Sequence, residues 1–363
     1  MHSFQLKREI ANTGQPSLLP EVAFTPDGAA FVVSFQEQNE VRLYDTATGS
    51  LRRSWRNPDA GFAEPHGVLL TDHHLLVSNR NYFKSPSEIR VYSLNSKQTS
   101  PEQCLITPFA GLAEAHSMAL SEGRLLVTYC EGDGRTGGVV CYAYDHKLGR
   151  IGEPVSMVDH CFRVLGDPKG VTFIDHGRRA LVSFNSLKPN PPLQGFLVRS
   201  LRRWYRNLNR LRECGFKGMQ SVFRKHSGNH RKPLPILHNG LAIFAVDAAG
   251  VLSRAPERVL LRDGFCRLEN VHCVNDICAL ADTINGEVLL YDRVSDPKME
   301  RPLQVLREGL SLPHGVKLSP DGNTLVVSNY GIRAWQQEII WFGWRKPRAD
   351  TIAIYERGAG VNA

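Results

Sequence analysis

Residues 312–331 read LPHGVKLSPDGNTLVVSNYG, and residues 19–45 read LPEVAFTPDGAAFVVSFQEQNEVRLYD. Each stretch holds an alternating apolar strand, a Pro-Asp-Gly turn, and a second apolar strand ending in Val-Ser. A third strand follows. The two-residue alternation is that of a half-buried β-strand. In the turns Pro26-Asp27-Gly28 and Pro320-Asp321-Gly322, proline presets one dihedral and glycine accepts a left-handed one.

The unit recurs between these two copies, at residues 63–79, 113–130, 166–185 and 269–282, which makes six units. In the fifth, Val274-Asn275-Asp276 replaces the Pro-Asp-Gly turn. A fourth strand follows the third in units one to five, with ERVLL at 257–261 and LQVLRE at 303–308 as examples. A sheet of four short strands is not stable alone, but sheets packed radially bury both faces. The sixth unit stops after its third strand, and FQLKREI at 4–10 resembles LQVLREG at 303–309 when the two are set position against position. The N-terminal strand is therefore expected to complete the last blade and remove an open edge. The reading is an all-β, six-bladed β-propeller spanning residues 1–363 as a single domain, with two insertions on one face.

The PHGV segments at 65–68 and 313–316, the Pro-Asp-Gly turns, the VSN endings at 77–79 and 327–329, and the VYS and LYD third strands carry a resemblance. On them the chain resembles the YVTN, NHL and SMP-30/gluconolactonase-like propeller superfamily over nearly its whole length outside the insertions. The resemblance implies the propeller fold. The chemistry it implies ranges from lactonases and lyases to pure binding scaffolds.

The first strand of each blade lines a propeller's axis. Aligning the units puts Pro20 or Glu21, His66, His116, Lys169, Glu269 and His314 at the start of that strand. Strand alternation gives these positions one orientation. Three imidazoles and a carboxylate suit one divalent ion such as zinc, iron or manganese. In this expectation His66, His116, His314 and Glu269 are the metal ligands. Glu269 or Glu21 acts as ligand or general base, and Lys169 stabilises a developing anion. The alternative is a plain polar channel in which the histidines bond to the backbone of neighbouring blades. The lactonase-type enzymes instead bind metal through acids and asparagine. The candidates for that role are Asn79, Asn185, Asp282 and Asn329, at the ends of second strands.

The eight cysteines form no CxxC pair. Cys130, Cys141, Cys273 and Cys278 read as small buried hydrophobes, and a reducing cytoplasm is the simplest location. His73 and His74 read as solvated turn residues. The start of the chain lacks the apolar run of a signal peptide, and no stretch approaches a membrane span.

Charge is uneven. Residues 188–238 form an insertion in blade four, and between Arg199 and Lys232 it carries eleven Lys or Arg against one acid, Glu213. That local excess of ten exceeds the net +8 of the whole chain. Leu201, Trp204, Tyr205, Leu208 and Leu211 recur at helical spacing beside Arg202, Arg203, Arg206 and Arg210, which predicts a basic amphipathic helix. A second insertion, 331–350 in blade six, holds Trp335, Trp341 and Trp344 followed by Arg345, Lys346 and Arg348. Both insertions connect a second strand to a third, so both are expected on one face. They suit an anionic lipid surface, a lid over the axis, or a protein partner. Nucleic acid fits poorly, because the aromatics are clustered rather than interleaved with the charges.

Two functions follow. The first is a binding or docking propeller, peripheral to a membrane, with a histidine-lined channel. The second is a metal-dependent hydrolase or lyase of lactonase-like type working on a small molecule at the channel mouth. No recognised catalytic motif is present, which favours docking, while the histidine ring favours the enzyme.

Overall fold

Each repeat unit forms one antiparallel four-stranded sheet. The structure is a computed structural model that describes residues 3–13, 17–56, 59–80, 86–95, 100–108, 114–130, 137–185, 239–261, 265, 267–283, 285–330 and 350–358. Blade one is β2 (Val22–Phe24), β3 (Ala30–Phe35), β4 (Glu40–Asp45) and β5 (Leu51–Arg56). Blade two is β6 (Pro65–Leu70), β7 (His74–Asn79), β8 (Glu88–Ser93) and β9 (Gln103–Ile106). Blade three is β10 (Glu114–Ser121), β11 (Arg124–Cys130), β12 (Gly138–Asp145) and β13 (Arg150–Val158). One helical turn, α1 (Phe162–Leu165), leads to blade four: β14 (Asp167–Ile174), β15 (Arg179–Asn185), β16 (Gly240–Ala245) and β17 (Arg258–Leu261). Blade five is β18 (Leu268–Val274), β19 (Ile277–Asp282), β20 (Glu287–Asp292) and β21 (Gln304–Leu306). Blade six is β22 (Pro313–Leu318), β23 (Thr324–Asn329), β24 (Thr351–Arg357) and the N-terminal β1 (Phe4–Ala11).

The first strands pack in a closed ring, β2 on β6, then β10, β14, β18 and β22, and β22 back on β2. The core lies between blades. Six apolar clusters fill the six interfaces; Leu76 and Val91 of blade two meet Met118 and Val127 of blade three in one, for instance. A blade is apolar on both faces because both are covered, so its strands read as near-continuous Val/Leu/Phe runs.

The expected closure is present. β1 pairs antiparallel with β24 from Phe4↔Arg357 to Ala11↔Thr351. Phe4 is buried among Leu306, Leu318 and Tyr355, and Gln304 of blade five clamps its backbone at 2.8 and 2.7 Å.

The recurrent Val-Ser has a physical cause. In five blades the hydroxyl of Ser34, Ser78, Thr128, Ser183 or Ser328 accepts the backbone N–H of Glu21, Gly67, Ser117, Gly170 or Gly315, at 2.7–3.2 Å. Those N–H groups sit at a register shift in the first strand of blades two, three, four and six. The hydroxyl thus satisfies a donor that the bulge leaves off the ladder. Gly170 is required there, because a Cβ would stand 2.4 Å from the Val271 nitrogen of the next blade. In blade five, Asn275 takes the left-handed turn conformation at φ 51°, the role Gly28 and Gly322 fill elsewhere.

Two expectations need correction. Cys273 and Cys278 are not separate apolar side chains but a disulfide, because β18 and β19 pair them directly with Cα atoms 4.1 Å apart. His74 is buried rather than solvated, since it begins β7 and packs where Gly149 leaves room. The insertions 188–238 and 331–350, with Arg202, Trp204, Arg206, Arg210, Trp335, Trp341 and Trp344, lie outside the described residues, save Asp350 at the second one's end.

Candidate axial metal centre

Strand register fixes the ring. Val22, Val68, Met118, Val171, Val271 and Val316 pair with equivalent residues of their second strands. Counting back two residues places Pro20, His66, His116, Lys169, Glu269 and His314 at one level. His66, His116, Glu269 and His314 are each at most 3% exposed, while Lys169 is only partly buried. The three imidazoles converge, with ring centroids 4.2, 5.4 and 5.6 Å apart. One ligating atom from each lies within 4.8 Å of the others. His66 and His314 come within 5.4 Å of each other although blade one, whose ring position is Pro20, stands between theirs.

The hydrogen bonds settle which nitrogens face inward. His66 Nδ1 is 3.1 Å from the His116 carbonyl, and His314 Nδ1 is 2.6 Å from the Pro20 carbonyl. A carbonyl only accepts, so both Nδ1 atoms carry the proton and both Nε2 atoms present lone pairs. His66 Nε2 is buried without a hydrogen-bond partner among the described residues. His314 Nε2 faces Glu269 Oε2 at 3.4 Å, and His116 Nε2 lies 3.4 Å from the same oxygen. Backbone carbonyls that fix the tautomer and aim Nε2 are the usual support of metal-binding histidines. The donor set thus fits a divalent ion. The 4.8 Å spread exceeds the about 3.3 Å between ligands around tetrahedral zinc, so a site that takes an ion must tighten.

Charge around the ring is organised. Burial, then the neighbouring His116, Arg80 and His314, holds His66 well below the ordinary imidazole value. Burial, then Lys169, does the same for His116. Burial lowers His314 to about 4, although Glu269 opposes it. Burial alone would raise the Glu269 carboxyl, but Arg267 and Lys169 outweigh it and keep it well below the carboxylate range. Arg267 Nε bonds Glu269 Oε1 directly. Burial works against the Lys169 ammonium, yet Cys130, Glu269 and Asp167 hold it above the usual lysine value.

Glu21 is not in this group. It sits one residue further along, level with Gly67, Ser117, Gly170, Asn270 and Gly315, because blade one's ring position is Pro20. There Glu21 Oε2 accepts from Asn270 Nδ2 at 2.6 Å, and Oε1 lies 3.9 Å from Lys317 Nζ. Strict alternation would point this second layer away from the axis, yet Glu21 of blade one meets Asn270 of blade five and Lys317 of blade six there.

The candidates at second-strand ends serve the backbone. Asp282 accepts from Arg267 N at 3.0 Å, Asn329 from Ser311 N at 3.0 Å, and Asn185 from Leu268 N at 2.9 Å. Asn79 donates to the Gly61 carbonyl at 3.5 Å and to the Glu88 side chain at 3.0 Å. They fasten strand ends to the loops that lead into first strands, which distinguishes them from an acid-and-asparagine metal set.

Sequence reasoning missed Arg267, Tyr330, Arg80 and Glu114. Tyr330 stacks on His314 with centroids 4.3 Å apart, and burial pushes its hydroxyl up to about 12. Arg80 donates to Glu114 at 2.6 Å beside the ring. Arg80 and Tyr330 each follow the last residue of a second strand, Asn79 and Asn329, and that shared position was the available signal.

No protein-family model matches the chain, and no curated protein matches it in sequence. Solved structures do match in shape. A luciferin-regenerating enzyme superposes with a TM-score of 0.58 at 9% identity, covering 99% of this chain and 96% of its own. The PQQ-bound aldose sugar dehydrogenase of Streptomyces coelicolor gives 0.59 at 12% identity, over 99% of both chains. A putative glucose dehydrogenase-type oxidoreductase of Thermus thermophilus gives 0.55 at 15% identity, over 96% of this chain and 99% of its own. These neighbours are propeller enzymes, and at such low identity the likeness is one of fold: the chain is a six-bladed β-propeller.

Proposed function

We propose that this protein is a metal-dependent enzyme acting on a small molecule at the mouth of its axis, a hydrolase or lyase of the type found among SMP-30/gluconolactonase-like propellers. One observation carries the reading: His66, His116 and His314 each bring a ligating nitrogen within 4.8 Å of the others at a buried point, with Glu269 Oε2 3.4 Å from the Nε2 atoms of His116 and His314. Lone pairs so gathered repel one another unless a cation lies among them. His66, His116, His314 and Glu269 would hold zinc, iron or manganese, and the ion, when bound, supplies Lewis acidity toward a carbonyl or a water. Glu269 is a ligand in this scheme, because Arg267 and Lys169 hold its carboxyl well below the carboxylate range and so make it a weak proton acceptor. Lys169 stands beside the ion to stabilise a developing anion.

The test is metal analysis of protein purified without a histidine tag and supplemented with each ion. One equivalent per chain is expected, and His314→Ala should weaken affinity by more than about 100-fold, since even outer support of metal ligands is worth 10–100-fold. Absence of bound metal after supplementation, or unchanged affinity in His314→Ala, sinks the reading.

A second reading belongs to the insertions. Both follow second strands that end where the histidine ring begins, and both combine basic residues with tryptophan or other large apolar residues. We infer that this face contacts anionic lipid, with about 1 kcal/mol from each Lys or Arg that reaches the surface. Sedimentation with phosphatidylserine vesicles should show binding that weakens at high salt. Glutamate at Arg202, Arg203, Arg206 and Arg210 should remove most of it. Wild-type protein that ignores such vesicles even at low salt ends this idea.

A further inference from the structure

We propose that the ligand of the axial centre is a small carboxylate anion, with Lys169 taking one carboxylate oxygen while the metal takes others. The inference rests on the metal reading above and adds the class of substrate to it.

The first ground is position. Lys169 occupies blade four's place in the ring, between His116 of blade three and Glu269 of blade five. Its backbone is pinned by the Thr128 hydroxyl, which donates to the Lys169 carbonyl at 2.5 Å. Unlike the three histidines and Glu269, it keeps part of its surface open. It is therefore the ring member that a molecule arriving at the mouth meets with a free donor.

The second ground is pairing. Glu269 is held by Arg267, and Glu114 by Arg80. Among the described residues no carboxylate lies within ion-pair distance of the Lys169 ammonium. Two of the three cations beside the ring are thus in direct ion pairs, while Glu269 and Asp167 act on Lys169 only from beyond that distance.

The third ground is charge balance. Beside the ring the Arg80 guanidinium meets Glu114 and the Arg267 guanidinium meets Glu269, pair by pair. A divalent ion leaves two positive charges in a site whose other members are almost fully buried. Uncompensated charge in such surroundings is costly, and an anion offsets it where a neutral ligand does not. A carboxylate has the oxygens both to ligate a borderline ion and to accept from an ammonium.

The experiment titrates malonate calorimetrically into zinc-loaded protein, with neutral malonamide as the counterpart. Malonate should bind and malonamide should not. Lys169→Met should bind malonate about 30-fold more weakly, as expected for the loss of one charge-assisted hydrogen bond, while keeping its zinc. Lys169→Arg should restore part of the affinity. Zinc-loaded wild type that leaves malonate unbound, or zinc-loaded Lys169→Met that binds it as tightly as wild type, overturns this inference alone. Malonamide binding as well as malonate overturns it too. Protein that takes up no zinc overturns the metal reading and this one with it, and the metal analysis identifies that outcome separately.

Discussion

Deleting residues 1–11 is expected to abolish the cooperatively folded protein. The segment is the outer strand of blade six and reaches both neighbouring blades: Gln304 of blade five clamps Phe4, and Arg8 donates to Ala47 of blade one at 2.9 Å. Truncating a buried aromatic alone costs about 3–5 kcal/mol. The whole stability of a domain is only about 5–15 kcal/mol. Removal also strips the ladder partners from β24 and leaves it an unprotected edge, an invitation to pair with other chains. Size-exclusion chromatography and thermal denaturation should show aggregate and no sharp transition. Lys7→Ala is the control, because its ion pair with Glu356 is more than half exposed and contributes little. A truncated chain melting like wild type would falsify closure as a stabilising device.

The metal-free protein should also lose stability steeply between pH 6.5 and 5. His66, His116, His272 and His314 have folded pKa values lowered, by burial first in each case. In the unfolded chain they protonate near 6.5; folded, they stay neutral, His314 down to about 4. A lowered histidine therefore stabilises fully above 6.5, and that contribution falls as pH drops toward the folded value. Glu21 acts in the opposite sense, since burial raises its pKa despite Lys317. With His74 five histidines are lowered, and with Asp350 two carboxyls are raised, which leaves up to about three protons, or about 4 kcal/mol per pH unit. Urea midpoints of chelator-treated protein measured from pH 7.5 to 5 give the slope. His314→Asn should make it shallower by roughly one proton's share. A midpoint constant across that range would mean the ring is not buried and neutral.

The blade repeat was legible because its causes are local. Period-two alternation, a turn that needs Gly28 or Gly322 at positive φ, and a hydroxyl near the end of the second strand each act over a few residues. The match of residues 4–10 to 303–309 exposed closure for the same reason, since a strand in the fourth position needs the same pattern wherever it lies in the chain. Alignment of those units also brought His66, His116, Lys169, Glu269 and His314 to one level. Only the tertiary structure decided what that level is. A second layer, in which Glu21 of blade one bonds Asn270 of blade five, is invisible to alternation. Arg267, Arg80 and Tyr330 stand in loops, where no period marks a side chain's direction. The sulfurs of Cys273 and Cys278 meet because a hairpin register pairs their strands. The tautomers of His66 and His314 depend on carbonyls 50 and 294 residues away in the chain, and such distances close only when six blades pack around one axis.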